Sequence, residues 1–576
     1  MSRKFLFAVC CVFAAMPALA AQGPLMPPAG IDQEQGRIQQ QQQQLLENLL
    51  RERELREAEA GRPRTGPETP PQPGKSSAGA GRCVEIREIE FSGNTALPDS
   101  RVREMLSPYE GRCLALEEIN AALLGVANAY IGEGFLTSRA FMVMPQPRLR
   151  EGVLVIKIYE GRLSAIEGLK GGERATAFPF MLEKVLNLRE VEQGLDQMNR
   201  LGSNKATVTI EADETREGYS RLIIKNEAQK RTSLGVTFDS FGSSSTGEWR
   251  AGARLAQDNL LGLNDQISLF YTNSVVPDPG NRASRSFLFG MSIPMGWWTF
   301  SNNFAYSSYK TSFPMPISGD RFYFLGDSFS ENFSAERMLA RGQAHKFAAV
   351  LGFTYKDNRN HLEVYDLRVR NDASSRRLAV LNLDMPLTLY FNGGMLYIKP
   401  GMAHGIRAFG SFSDQGSPYS QKAQYNACKL YMYSGWDFGK ISLTTSIDSQ
   451  YTTDELFSTE AFHLGGTSVR GLKDESAQGD SGFYVMNDLS LNLGRIFNSP
   501  NSLLASFTPG VFLDYGQVFS NARTGESVSL AGAGAKLAFR RGMLDASVSW
   551  AAILAKGDWM EETSAVYAAI GLSGRF

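Results

Sequence analysis

LDASVSWAA occupies positions 544–552 and AVYAAIGLSGRF positions 565–576. In the first stretch Leu544, Ala546, Val548, Trp550 and Ala552 alternate with Asp545, Ser547 and Ser549. In the second, Val566, Ala568, Ile570, Leu572, Gly574 and Phe576 fall on one face. A period of two is that of a strand with one apolar face and one more polar face. The same texture begins near position 229, where Leu234, Val236 and Phe238 alternate with Gly235, Thr237 and Asp239. About sixteen such segments follow one another, which is what a lipid-spanning barrel with a polar lumen requires. The alternative, a soluble all-β domain, would need its apolar faces covered by a second sheet. No segment after the N-terminus is apolar for long enough to cross a bilayer as a helix.

Working back toward the N-terminus, the texture changes. Residues 83–161 give the order β-α-α-β-β. Val84, Ile86, Ile89 and Phe91 make a strand ending at the turn 92–95, and Ile119, Leu123, Val126 and Tyr130 line one helix face. Strands are expected at 137–143 and 153–160. Residues 162–228 repeat the order, with helical patterns at 180–186 and 191–201 and strands at 206–212 and 219–226. The fold class is therefore α+β followed by all-β: two tandem modules, 83–161 and 162–228, then a sixteen-stranded transmembrane barrel over 229–576.

Ahead of the modules lies a Pro-, Gly- and Ser-rich linker, 61–82, with the composition of an extended, mobile chain. Its Gly74-Lys75-Ser76 imitates the end of a phosphate-binding loop. The first glycine of that motif would have to be Thr69, however, and no strand precedes it. Residues 36–56, within an N-terminal segment 21–60, carry Leu45, Leu46, Leu49 and Leu50 at helical spacing among glutamines and charges. Such a helix is polar over most of its surface and suits a water-filled lumen; a partly helical leader is the alternative. Residues 1–20 read as a signal peptide: Arg3 and Lys4, an apolar core over 5–15, and Ala18-Leu19-Ala20 at the cleavage site. Export places Cys83 and Cys113, close in sequence within one soluble module, in an oxidising compartment, so they are expected to form a disulfide. Cys428 has no evident mate.

The chemistry of catalysis is not visible. His345, His361, His404 and His463 are scattered, and the sequence has no nucleophile elbow, zinc-protease helix or paired-cysteine metal spacing. No enzyme activity, cofactor or metal is expected. Lys+Arg 59 against Asp+Glu 60 gives a net charge of −1, with no basic surplus for nucleic acid.

Several fragments, weak singly, are specific in their order. They are EGFLTSRA (133–140), YEGR (159–162), NLREVEQG (187–194), MNRL (198–201), then Asp239, Gly242, Thr246, Gly247 and Arg250, then DNLLGLND (258–265). Near the end come Val469-Arg470-Gly471-Leu472, after Leu464-Gly465-Gly466, and Phe512-Leu513-Asp514-Tyr515-Gly516. In this order they resemble the outer-membrane transporters of two-partner (type V) secretion, the family of the haemolysin and filamentous-haemagglutinin exporters. The resemblance implies that 83–161 and 162–228 are POTRA domains in the periplasm of a Gram-negative bacterium. It implies that Val469–Leu472 is the tip of a loop folded back into the lumen, and that Arg470 pairs with Asp514 on the strand carrying Phe512 and Gly516. Leu472 departs from the aromatic usual there. Phe576 resembles the terminal aromatic read by the outer-membrane assembly machinery. The implied function is export of one large partner exoprotein, of adhesin, haemolysin or contact-dependent toxin type, without nucleotide hydrolysis. The implied surroundings are outer-membrane lipid and lipopolysaccharide, with the transporter a monomer and the 36–56 helix a plug. The alternative within the superfamily is an outer-membrane protein insertase, which usually carries more POTRA domains; a passive porin would lack them.

Overall fold

The computed structural model describes residues 83–576 except 228, 315–319, 343, 366, 373, 418 and 522–525; before 83 it describes 47, 51–56, 58 and 59. The signal peptide, the linker 61–82 and most of 21–60 lie outside the described residues.

The first module holds a three-stranded sheet in which Glu88–Ser92 runs parallel to Val153–Tyr159, and Arg139–Met142 antiparallel to it. The strand expected over Val84 to Phe91 is divided. Val84–Ile86 leaves the sheet to pair with Arg112–Leu114, and this brings Cys83 and Cys113 into a disulfide with Cα atoms 5.3 Å apart. Helix Leu116–Gly132 lays Ile119, Val126 and Tyr130 into the core, with Leu123 at its margin. YEGR closes this module through Glu160. Its carboxylate accepts the Thr95 and Ala96 amides at 2.7 Å each, the Thr95 hydroxyl, and the Tyr130 hydroxyl at 2.8 Å. Burial alone would raise this carboxyl, but the hydrogen bonds outweigh it and hold it below the usual glutamate range.

The second module differs from expectation in one element. Its first helix is Gly171–Ala177, and 180–186 is a turn. Pro179 cannot continue the helical hydrogen bonding, and Phe180 and Glu183 take positive φ of 58° and 64°. Met181 and Leu186 are apolar because they enter the core, which imitates helical spacing. Helix Leu188–Asn199 follows, capped by the Asn187 side chain. Gly134 of the EGFLTSRA stretch (φ 96°) accepts the Leu188 amide at 2.8 Å, so that motif joins the modules.

The second module also sits on the barrel mouth. DNLLGLND forms a turn in which Asp265, fully buried, accepts the amides of Leu260, Leu261 and Leu263 at 3.1, 2.9 and 3.3 Å. The shaped turn presents Asn259 to Glu173 at 2.7 Å and Asn264 to Thr176 at 2.9 Å. From helix Leu188–Asn199, Gln193 and Gln197 donate to the Gly296 carbonyl, and Asp196 pairs with Arg341 at 3.0 Å and Lys346 at 2.5 Å.

The barrel closes. Its first strand, Thr232–Asp239, pairs antiparallel with its last, Ser564–Arg575, from Asp239↔Ala569 to Ser233↔Arg575. The ring has sixteen positions; the eighth is one strand broken into Leu367–Arg370, Arg376–Asp384 and Leu387–Phe391. Val236, Val548, Trp550, Val566 and Leu572 point outward, and the outer surface is apolar, as hydrocarbon demands. Phe576 exchanges backbone hydrogen bonds with Thr232 at the periplasmic end of the seam. No described helix is long and apolar enough to cross a membrane.

Candidate functional site: a loop held inside the barrel

Between strands Ile441–Tyr451 and Ser481–Leu491 the chain does not turn directly. Residues 452–480 fold back into the lumen, stiffened by a short hairpin of Phe462–Gly465 against Ser476–Gly479. Apolar packing holds its shape. Phe462, Leu464, Val469, Leu472 and Ala477 bury against Val518, Val528 and Leu530 of the wall. Close approach requires glycine at two positions. A Cβ on Gly532 of the wall would stand 1.9 Å from the Arg470 carbonyl oxygen, and Gly471 has φ 118° with Ile553 2.6 Å from where its Cβ would be.

The strand Phe507–Phe519 explains its own motif. Alternation turns Phe512, Asp514 and Gly516 inward, while Val511, Leu513 and Tyr515 face outward. Arg470 reaches this inward row. Its Nε and Nη2 donate to the two carboxylate oxygens of Asp514, each at 2.6 Å, and its backbone amide donates to Oδ2 at 3.1 Å. The guanidinium carbon lies 3.7 Å from the Phe512 ring centroid. Asp514 is fully buried, whereas the Arg470 side chain keeps 16% exposure.

Two partners were missed by motif reading. Asp488 takes the other edge of the guanidinium at 3.0 and 3.3 Å, and Lys536 pairs with Asp488 at 2.6 Å. Both lie on neighbouring strands; Asp488 is level with Phe512 in the sheet register. A charge-bearing inward position on the flanking strands was the only available signal, and using it needs that register. Leu472 is fully buried in the apolar cluster, and Tyr567 from the last strand supplies an aromatic ring at the tip. Its hydroxyl accepts the Gly471 amide at 3.2 Å and donates to the Leu472 carbonyl at 3.3 Å.

The described part of the N-terminal helix also lies in the lumen. Arg51 pairs with Asp448 at 2.5 Å and donates to the Tyr484 hydroxyl at 3.0 Å. Glu54 pairs with Lys399 at 2.6 Å, and Leu55 and Ala58 rest against a cluster of Tyr390, Met395, Tyr397 and Tyr431. Every charge of the helix named here meets an opposite charge or a hydroxyl on the wall. Among the described residues no group of His, Cys, Asp and Glu is arranged to hold a metal ion. Cys428 is exposed on strand Asn426–Asp437.

This architecture is shared with known proteins. The profile of the haemolysin secretion/activation proteins ShlB/FhaC/HecB matches residues 218–539, the ShlB-type POTRA profile matches 84–161, and a second POTRA profile matches 165–212. The chain is 33% identical over 420 residues to the outer membrane transporter CdiB of Dickeya dadantii, covering 71% of this chain and 73% of that one. It is 29% identical over 578 residues to an Escherichia coli CdiB, covering 97% and 94%. The solved structure of CdiB from Escherichia coli superposes with a TM-score of 0.80 at 28% identity, covering 96% of this chain and all of that one.

Proposed function

As this chain belongs to the ShlB/FhaC/HecB family of haemolysin secretion/activation proteins, outer-membrane transporters of secreted partner proteins with periplasmic POTRA domains, we propose that it exports one large exoprotein as an extended chain. The client class is adhesin, haemolysin or contact-dependent toxin. The observation that carries the reading is the double occupancy of the lumen: a polar helix and a returned loop are both bound to the wall through charges and hydroxyls. A wall of that chemistry lets a hydrated polypeptide take the helix's place, and it suits neither a lipid path nor a permanently open pore.

The order of events follows from the parts. Among the described residues the first POTRA sheet ends on strand Arg139–Met142 with no strand beyond it, which suits strand addition to an extended client; at its other edge, Glu88–Ser92, the Ile89 amide is taken by Glu110 at 3.1 Å. The second domain, seated on the barrel mouth, delivers the chain to the lumen. The N-terminal helix leaves, and folding of the client outside makes passage one-way without nucleotide. The transporter works as a monomer in outer-membrane lipid and lipopolysaccharide, with Phe576 read by the assembly machinery. Deleting the gene and comparing surface and culture-medium proteins tests this. Loss of one large exoprotein, restored by the gene in trans, is expected. An unchanged exoproteome with depleted outer-membrane barrels would establish the insertase alternative instead.

A further inference from the structure

Arg470 secures only the tip of the returning loop; the limb that leads to it, 452–461, is held elsewhere. Glu460 on this limb is 8% exposed. One carboxylate oxygen takes the Lys356 ammonium at 2.8 Å, and the other takes the Tyr425 hydroxyl at 2.7 Å. The Gln450 side chain donates to the Glu460 carbonyl at 3.0 Å. Three positions earlier, the Phe457 ring lies 4.4 Å from the Arg376 guanidinium, which also faces Phe412 at 5.0 Å and Tyr419 at 4.5 Å. Lys356 and Arg376 stand on adjacent strands, His345–Val364 and Arg376–Asp384, paired in register.

Position in the ring gives these contacts their meaning. The strand bearing Lys356 is the seventh of sixteen and the strand bearing Asp514 is the thirteenth, so the two holds lie across the lumen from each other. A carboxylate only accepts hydrogen bonds, and both oxygens of Glu460 are taken by donors of the wall. The Lys356 side chain is 14% exposed and the Glu460 side chain 4%. Withdrawing the loop would separate two buried opposite charges, which is costly.

We propose that Glu460 is a second anchor, a positioning residue that with Lys356 and Tyr425 straps the returning loop across the lumen so that Arg470 meets Asp514. Without it the limb keeps the Lys422 amide on the Glu455 carbonyl and Phe457 on Arg376, but it loses both buried hydrogen bonds of the carboxylate. The unpaired Lys356 adds to that loss.

The inference rests on the export reading only for the purpose of the strap, so the test reads loop position directly. Ser468, buried beside Arg470 in sequence, becomes the reporter as Ser468→Cys in a Cys428→Ser background. A membrane-impermeant maleimide is applied to intact cells, and heat-modifiable electrophoretic mobility confirms the folded barrel. The parent should label slowly. Glu460→Gln and Lys356→Met should each label about tenfold faster or more, given the broken buried pair. The exchange Glu460→Lys with Lys356→Glu should return labelling toward the parent rate, which a merely structural loss of packing would not do. If Glu460→Gln fails to reach the membrane, Tyr425→Phe carries the test with the same direction expected. Labelling of the single variants as slow as the parent, or an exchange variant as fast as either single one, overturns the proposal.

Discussion

Replacing Arg470 by alanine removes the one cation that, among the described residues, pairs with Asp514. Asp514 is fully buried, and the guanidinium gives it two charge-assisted hydrogen bonds at 2.6 Å. After truncation the backbone amide at 3.1 Å is what remains for that carboxylate among the described residues. Asp488 is less affected, because Lys536 still lies 2.6 Å away. The loss is therefore that of a buried pair broken on one side, about 3–5 kcal/mol, rather than the 0–1 kcal/mol of a solvated one. At 1.4 kcal/mol per factor of ten, the loop's lumen-bound state loses roughly a hundredfold to several thousandfold. Lysine restores a charge but not the fork that spans both oxygens of Asp514 while touching Asp488, so Arg470→Lys should rescue poorly. Asp514→Ala should impair export in the same direction but less, because Asp488 still holds Arg470, and the double variant should be no worse than Arg470→Ala, since both remove the shared interaction. The assay is exoprotein in the medium, normalised to folded barrel in the outer membrane. Normal secretion by both single variants, or defects that add in the double one, would refute the pairing as a working part of the transporter.

Three further outcomes are expected. Mass spectrometry of unreduced peptides should recover Cys83 linked to Cys113, and replacing either by serine should destabilise the first domain by about 2–4 kcal/mol; free thiols in protein taken from the outer membrane would contradict this. Deleting residues 36–56 should raise single-channel conductance in planar bilayers, because Arg51, Glu54 and Leu55 occupy the lumen; equal conductance would place the helix outside the ion path. Glu160 titrates below the ordinary glutamate value of 4.5, so its contribution to the first domain is fully present above that pH and is lost as pH falls through the lower folded value. Glu160→Gln should flatten the acid limb of a stability-versus-pH curve in that window, and an unchanged limb would show that the hydrogen bonds from Thr95, Ala96 and Tyr130 do not govern it.

Legibility varied with the range of the interaction that decides each feature. Alternation around 234–238 and 544–552 is local, and it revealed the barrel strands and their outward faces. The Arg470–Asp514 pair was legible because both residues sit in recognisable motifs. Asp488, Lys536 and Lys356 were not, since what joins them is sheet register, and a one-residue slip would turn each to lipid; Glu460 was not, since the path of the returning limb that carries it is set by tertiary contacts. The turn at 180–186 misled because core-facing Met181 and Leu186 mimic helical spacing, whereas Pro179 was the local warning. The strand expected to run unbroken from Val84 to Phe91 divides where one half turns to meet the segment containing Cys113, a tertiary choice with no local signature.

The seam between Thr232–Asp239 and Ser564–Arg575 carries a consequence for how the barrel comes into being. Asp239 and Ala569, level in that seam, are more than three hundred positions apart. Neighbouring hairpins around the rest of the ring form from nearby residues, so the seam is the most non-local contact and the slowest to find. Until it forms, the sheet has two open edges whose amides and carbonyls have no partners. Hydrocarbon cannot satisfy them, and each costs several kcal/mol there. An unclosed intermediate is thus barred from lipid on its own. Zipping of the first and last strands and entry into the bilayer must be one event, or another chain must lend its own strand to the exposed edges in the interval.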